Sequence, residues 1–143
     1  SADDANETLT ATQAAEGLGG CRSVPNPSSG SRRIYEIYYD SYGCRVPLRY
    51  GRHDYSTGRG YGYYHILARR GKWTDFMRNL TRNAVAGVFQ RADSPTSRVK
   101  CYNYTVSAQP GKPNERTWRV VIEYGSDFQG IITAYWKAGH YNC

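Results

Sequence analysis

Two alternating runs near the end of the chain constrain its fold more than any other feature. TWRVVIEY and GIITAYW are rich in β-branched and aromatic residues, and only GSDFQ separates them, which predicts a β-hairpin. With Ile122 opposite Ile132, one face is apolar and carries Trp118, Val120, Ile122, Ile132, Ala134 and Trp136. The other face carries Arg119, Val121, Glu123, Ile131, Thr133 and Tyr135. We expect the first face to pack on a core and the second to meet solvent or a ligand.

The preceding segments predict two more kinds of element. RRIYEIYY and CRVPLRY around DSYG predict a first hairpin, in which Pro47 places the second strand at the edge of a sheet. Residues 63–70 predict a short helix that ends at Gly71, and Thr74 can N-cap a second helix that ends at Gly87. RVKCYNYTVS predicts a strand, and the glycine-rich GRHDYSTGRGYG predicts a loop. We therefore expect an α+β fold, with two short helices on one face of a twisted antiparallel sheet and an additional N-terminal β-hairpin.

The length of 143 residues predicts a single domain, residues 32–143, behind a partly ordered polar arm, residues 1–31, with a loose helix around 7–16. Four scattered cysteines without metal-site spacing predict two disulfides, and three pairings are possible. We favour Cys21–Cys44 and Cys101–Cys143. Disulfides indicate an oxidising compartment, so we expect a secreted protein. No apolar run is long enough to predict a membrane span.

The charge balance indicates an anionic partner. Nineteen Lys and Arg residues against 12 Asp and Glu give a net charge of +7, which favours nucleic acid or an anionic surface. Fourteen tyrosines suit strands that are half buried, and tyrosine rings can also stack on bases. A tyrosine-rich surface of a secreted β-protein explains them equally well. Asn6, Asn79 and Asn103 each begin an Asn-x-Thr triplet, a glycosylation acceptor in some hosts.

Histidine and arginine residues supply the candidates for chemistry. His65 and Arg69 share a helix face, with Arg70 beside them, so a proton-transfer group would stand next to phosphate-binding cations. His53, in the glycine-rich segment, can complete such a site, although each histidine also fits an ordinary structural position. No HExxH, Walker or GxSxG motif occurs, and we expect no metal and no cofactor. Metal-independent RNA cleavage needs a base, an acid, a cation and hydroxyl donors. The chain offers His65, His53, Glu123, Arg69, Thr133 and Tyr135.

The stretch YGYYHILARRG and the late strand GIITAYW resemble motifs of the small metal-independent toxin ribonucleases grouped with barnase, EndoU, the colicin-type tRNases and RelE. This group includes C-terminal toxin domains of bacterial polymorphic toxins. The resemblance covers roughly residues 52–141 and implies two helices followed by a four-stranded antiparallel sheet. It implies that His65 is the acid or base, that Arg69 binds phosphate, and that Thr133 and Tyr135 orient or stabilise the scissile phosphate. The second proton-transfer group stays open between His53 and Glu123.

These observations together predict a secreted endoribonuclease that acts as a toxin or effector, is delivered into target cells, and is a monomer. The expected partners are RNA and a cognate inhibitor or immunity protein. The expected substrate-binding residues are Arg70, Arg119, Tyr63 and Lys137. One alternative is a basic, tyrosine-rich module that binds nucleic acid or another polyanion without turnover. A second alternative, an ADP-ribosyltransferase toxin, is suggested by DYSTG and VIEYG.

Overall fold

A computed structural model of the chain describes residues 21–87, 91–92, 98–107, 110–111 and 115–138. The elements are, in order, β1 Ile34–Tyr39, β2 Arg45–Arg49, β3 Arg52–Asp54, β4 Arg59–Tyr61, α1 Gly62–Arg70, α2 Asp75–Ala86, β5 Arg91–Ala92, β6 Val99–Val106, β7 Arg116–Glu123 and β8 Gly130–Ala138. Six strands form one sheet in the order β1-β2-β8-β7-β6-β5, and β3 and β4 form a separate hairpin. Every pairing is antiparallel. The predicted α+β class is confirmed.

The helices begin and end where their capping residues predict. The hydroxyl of Thr74 accepts a hydrogen bond from the amide of Met77, which satisfies one of the free donors at the start of α2. Gly71 has φ 82°, and its N–H donates to the carbonyl of Leu67 at 2.7 Å, which ends α1.

The β7–β8 hairpin confirms the predicted faces from Trp118 to Val121 and corrects them at one end, where Ile131 and not Ile132 is buried in the core. Trp118 pairs with Trp136 and Val120 with Ala134, as expected. Ile122, however, pairs with Ile131 rather than Ile132, because a register shift follows Val121. This bulge brings the side chains of Ile122 and Ile131 to full burial, which an uninterrupted alternation would not allow.

The apolar face of this hairpin packs against the helices. Trp118, which is 1% exposed, donates its indole N–H to the hydroxyl of Thr81 in α2 at 2.9 Å. Ile66 of α1 and Leu80 of α2 belong to the same buried cluster as Trp118 and Val120. One hydrophobic core therefore joins both helices to the sheet.

Strand β2 is not an edge strand, which corrects the expectation from Pro47. It lies between β1 and β8, but it pairs with β8 only at Leu48 and Gly130. Because most of β2 forms no ladder with β8, a residue without an N–H is tolerated there. The approach is close: a Cβ on Gly130 would lie 2.2 Å from the carbonyl oxygen of Pro47.

The arm after Cys21 is attached to the domain. The predicted Cys21–Cys44 disulfide is present. Arg22 donates to the carbonyls of Tyr124 and Gly125, and its guanidinium lies over the ring of Phe128.

Two predictions concern parts of the chain that the structure does not describe. Cys143 and the loose helix expected around residues 7–16 lie outside the described residues, so the Cys101–Cys143 pairing stays a prediction. Within the described residues, neither helix is long and apolar enough to cross a membrane.

Candidate active site

The glycine-rich segment forms the β3–β4 hairpin, not the loop that its composition predicts. Its glycines permit close backbone contacts: a Cβ on Gly51 would lie 1.8 Å from the carbonyl oxygen of Tyr61. A Cβ on Gly60 would lie 2.1 Å from that of Arg52. The side chain of Asp54 accepts a hydrogen bond from the amide of Ser56 and stabilises the turn. Glycine here reflects close backbone contacts and, at Gly51 and Gly58, the positive φ angles of 71° and 76°.

This hairpin brings His53 to His65. His53 lies in β3 and His65 in the first turns of α1, and their Nδ1 atoms are 2.8 Å apart. His65 is only 7% exposed, whereas His53 is half-buried and lines an open cleft. The structure therefore gives the predicted helix histidine a specific partner.

The contact between the two Nδ1 atoms dictates how the pair can hold protons. One Nδ1 must carry the hydrogen and the other must accept it. In the neutral pair, the donating ring keeps a free lone pair on Nε2, while the accepting ring carries its hydrogen on Nε2. One contact therefore provides a base at one Nε2 and a proton donor at the other.

The environment favours this neutral state. Burial lowers the pKa of His65 below the ordinary histidine value, and electrostatic interactions with His53, Arg69 and Arg70 lower it further. A histidine with a depressed pKa stays available as a base under mildly acidic conditions.

The two arginines at the end of α1 diverge. Arg69 follows His65 by one helical turn, and its Nη1 lies 3.5 Å from the carbonyl oxygen of Gly58 in the β3–β4 turn. The guanidinium of Arg70 lies 5.5 Å from the ring centroid of Tyr135, on β8. Burial, followed by the charge of Arg69, lowers the pKa of Arg70. Two cations thus lie close enough to His65 to influence its protonation.

The polar face of β7–β8 meets α1 through Arg70. Tyr135 is paired with Arg119, and Thr133 lies on the same face of β8, paired with Val121. In the described part of the chain, no hydrogen bond joins His65 or Arg69 to Thr133 or Tyr135. The contact observed between α1 and this face joins Arg70 to Tyr135.

Of the four predicted substrate-binding residues, Arg119 and Lys137 lie on the sheet, with Arg119 directly opposite Tyr135. Arg119 donates to the side-chain oxygen of Asn103 at 3.2 Å, and Lys137 is paired with Thr117. Tyr63, in α1, stacks on Tyr35 with ring centroids 3.9 Å apart, and it is half-buried.

Glu123 has a different setting from the histidines. Its two carboxylate oxygens accept hydrogen bonds from the amides of Gly125 and Gln129, at 2.7 and 2.8 Å. These bonds stabilise the turn between β7 and β8. His53 contacts His65 directly, whereas both carboxylate oxygens of Glu123 are engaged in this turn.

Sequence reasoning missed three residues beside the pair. Arg52, Tyr55 and Tyr64 line a cleft of about 450 Å³ together with His53. The ring of Tyr55 meets that of His53 edge-on, with centroids 4.6 Å apart. The pairing of β3 with β4 places Arg52 and Tyr55, in a segment whose composition predicts a loop, whereas Tyr64 lies in the predicted helix beside His65.

Comparisons with known proteins identify no relative of this chain. No protein-family model matches the chain, and no curated protein and no solved structure gives a significant match. In the described ranges, no group of three or more His, Cys, Asp or Glu side chains is arranged to hold a metal ion.

Proposed function

We propose that this chain is a metal-independent endoribonuclease, the activity that its motif resemblance implies. The contact between the Nδ1 atoms of His53 and His65, 2.8 Å apart, supports the proposal most. RNA carries its own nucleophile, the ribose 2′-OH, so the enzyme must supply proton transfer and charge stabilisation. A coupled base and acid beside two arginines meets those requirements.

The histidine pair can move all the protons of the reaction. The ring with the free Nε2 takes the proton of the 2′-OH, and the 2′-oxygen attacks the phosphorus. The Nδ1 hydrogen passes to the other ring, whose Nε2 hydrogen protonates the departing 5′-oxygen. The products are a 2′,3′-cyclic phosphate and a 5′-hydroxyl. The pair finishes neutral, with the two tautomers exchanged.

The arginines would stabilise the charge that develops at phosphorus. Arg69 shares the helix face of His65, and guanidinium groups can bind two phosphate oxygens at once. The guanidinium of Arg70 lies 5.5 Å from the ring centroid of Tyr135, an attractive cation–π contact that favours this direction of the side chain. We assign Thr133 to orienting the phosphate on the resemblance alone.

The Cys21–Cys44 disulfide is compatible with an extracellular protein. We propose that the ribonuclease is a secreted toxin or effector that is delivered into target cells. A nuclease of this kind would endanger its producer, so we also propose a cognate inhibitor with an acidic surface that matches the net charge of +7.

The direct test is RNA degradation in the presence of EDTA. We expect wild-type protein to produce fragments that end in cyclic phosphate, and His53→Ala and His65→Ala variants to be at least about 10²-fold slower. Circular dichroism establishes that the variants fold. If the wild type cleaves no RNA, or if the folded variants cleave as fast as the wild type, the proposal is wrong.

A non-enzymatic module that binds polyanions is the second candidate, and exposed tyrosines such as Tyr55 and Tyr64 favour it. It predicts salt-sensitive RNA binding without turnover, unaffected by the loss of one histidine. An ADP-ribosyltransferase would consume NAD and label a target. The glutamate of VIEYG, Glu123, is engaged in a turn, which gives that activity little support.

A further inference from the structure

The cleft beside His53 has a lining suited to a flat, apolar ring. It measures about 450 Å³, within the range of small-ligand sites, and its lining residues are Gly51, Arg52, His53, Tyr55, Tyr64, Leu67 and Ala68. Leu67 and Ala68 follow Tyr64 along one side of α1 and present an apolar surface. The chemistry is aromatic and aliphatic, with a single cation at Arg52.

The two tyrosines of the cleft are accessible to a ligand. Tyr55 is 83% exposed and Tyr64 is 45% exposed, although large aromatic rings usually bury more of their surface. Tyr64 is nevertheless supported by its neighbours, because its ring packs against Tyr50 and Tyr63 at 5.8 and 5.7 Å. An accessible ring that is already held in place loses little entropy when it stacks on a ligand.

Arg52 adds a positive charge to the lining of the cleft. In the described part of the chain it forms no ion pair, and its guanidinium lies 5.8 Å from the ring of Tyr61. An arginine next to exposed aromatic rings is the combination by which proteins bind single-stranded nucleic acid, with stacking for the base and charge for the phosphate.

We propose that this cleft binds one unpaired nucleobase, stacked on Tyr55 and Tyr64, with Arg52 on an adjacent phosphate. The proposal rests on the ribonuclease function and deepens it, because it names the substrate as single-stranded RNA. A cleft of this volume admits a single nucleotide, whereas bases in an A-form duplex are stacked and paired and cannot enter it. Since His53 lines the same cleft, the bound base belongs to a nucleotide next to the cleaved bond.

Binding can be measured apart from cleavage with a 2′-O-methyl oligonucleotide, which lacks the attacking hydroxyl. Fluorescence anisotropy compares an unstructured labelled strand with its fully paired duplex at a fixed salt concentration. The variants are Tyr55→Ala, Tyr64→Ala and the double variant, together with Tyr55→Phe and Tyr64→Phe. Tyr42→Ala is a matched control, because Tyr42 is 47% exposed but lies in the turn between β1 and β2.

We expect wild type to bind the single strand more tightly than the duplex. The double alanine variant should bind the strand at least about tenfold more weakly, and the phenylalanine and Tyr42 variants should bind like wild type, because stacking uses the ring and not the hydroxyl. Equal binding of strand and duplex, or unchanged binding by Tyr55→Ala, would overturn the subsite. Tyr55 is so exposed that its removal does not disturb the core, which keeps that variant informative if the double variant fails to fold.

The two proposals can fail separately. Tyrosine-dependent binding of the strand without cleavage of ordinary RNA would support the subsite and contradict the ribonuclease. If the chain cleaves RNA but its binding of the single-stranded oligonucleotide does not depend on Tyr55 or Tyr64, the ribonuclease proposal is supported and the subsite is contradicted.

Discussion

His53 and His65 lie with their Nδ1 atoms 2.8 Å apart, although one belongs to a strand and the other to a helix. The contact depends on a hairpin of two three-residue strands, closed by glycines at positions where a Cβ would collide with the opposing backbone. The geometry of the histidine pair is therefore a property of the hairpin as much as of α1.

Loss of either histidine should cost almost as much activity as loss of both. We expect His53→Ala and His65→Ala each to slow single-turnover RNA cleavage by about 10²- to 10⁴-fold. The double variant should be little slower, because residues that act as one unit are not additive. Effects that multiply would show that the two histidines act independently.

Arg69 and Arg70 should matter for the chemical step more than for RNA affinity. We expect Arg69→Gln and Arg70→Gln each to lower kcat by roughly 10²-fold, because they lose charge stabilisation in the transition state. Arg82→Gln is the control, since Arg82 is exposed on α2, where its Nη1 donates to the side-chain oxygen of Asn79. A loss confined to KM, or an equal loss in the Arg82 variant, would contradict the assignment.

The pH dependence of activity should reflect the lowered pKa of His65. The acid limb of the kcat/KM profile should lie below the ordinary histidine pKa of 6.5, because the pair stays neutral at lower pH. Arg69→Gln should move that limb to higher pH, since it removes one of the charges that lower the pKa. An acid limb above 6.5, or no movement in the variant, would count against this role for His65.

The free energy of unfolding should also depend on pH through His65, and it should fall as the pH falls. Because the folded-state pKa of His65 is below its unfolded value, the unfolded chain binds more protons as the pH falls through the ordinary histidine range. The free energy of unfolding should therefore decrease from neutral pH down to the folded-state pKa, and His65→Gln should reduce this slope. Urea denaturation at several pH values measures both proteins, and identical slopes would refute the linkage.

The Cys21–Cys44 disulfide should stabilise the fold by closing a loop of 23 residues. A loop of that length contributes about 3 kcal/mol by restricting the unfolded chain. Urea denaturation of a Cys21→Ser, Cys44→Ser variant should show this loss. Adding a reductant should cause no further loss from this disulfide, because the variant lacks it. Equal stability of the variant and the oxidised wild type would contradict the expectation.

Gly60→Ala should disturb the histidine pair directly. The new Cβ would lie 2.1 Å from the carbonyl oxygen of Arg52 and 2.9 Å from the Cα of His53, so the hairpin must shift. We expect a loss of about 1–3 kcal/mol in stability and a clear loss of RNA cleavage. Gly87→Ala is the control, because its Cβ would meet nothing closer than 3.4 Å. Similar activity in the two variants would show that the hairpin geometry is not critical.

Local signals predicted the parts of the fold that local physics controls. The capping residue Thr74, the terminating Gly71 and the alternation of Trp118 and Val120 each act within a few residues of their own position. The register at Ile131 could not be predicted in the same way, since a bulge follows from the demand of the whole core for burial.

The candidate site likewise has features that local sequence determines and features that only the tertiary structure determines. The sequence by itself determined that a histidine and two arginines share a short helix, because helical spacing places residues without reference to the rest of the chain. Only the tertiary structure decided that His53 is the partner of His65, and that Arg70 rather than Arg69 meets Tyr135. The physical reason is that glycine permits both an irregular loop and a close backbone contact. Whether a glycine-rich segment forms a loop or a close backbone contact depends on which other segments of the chain pack against it.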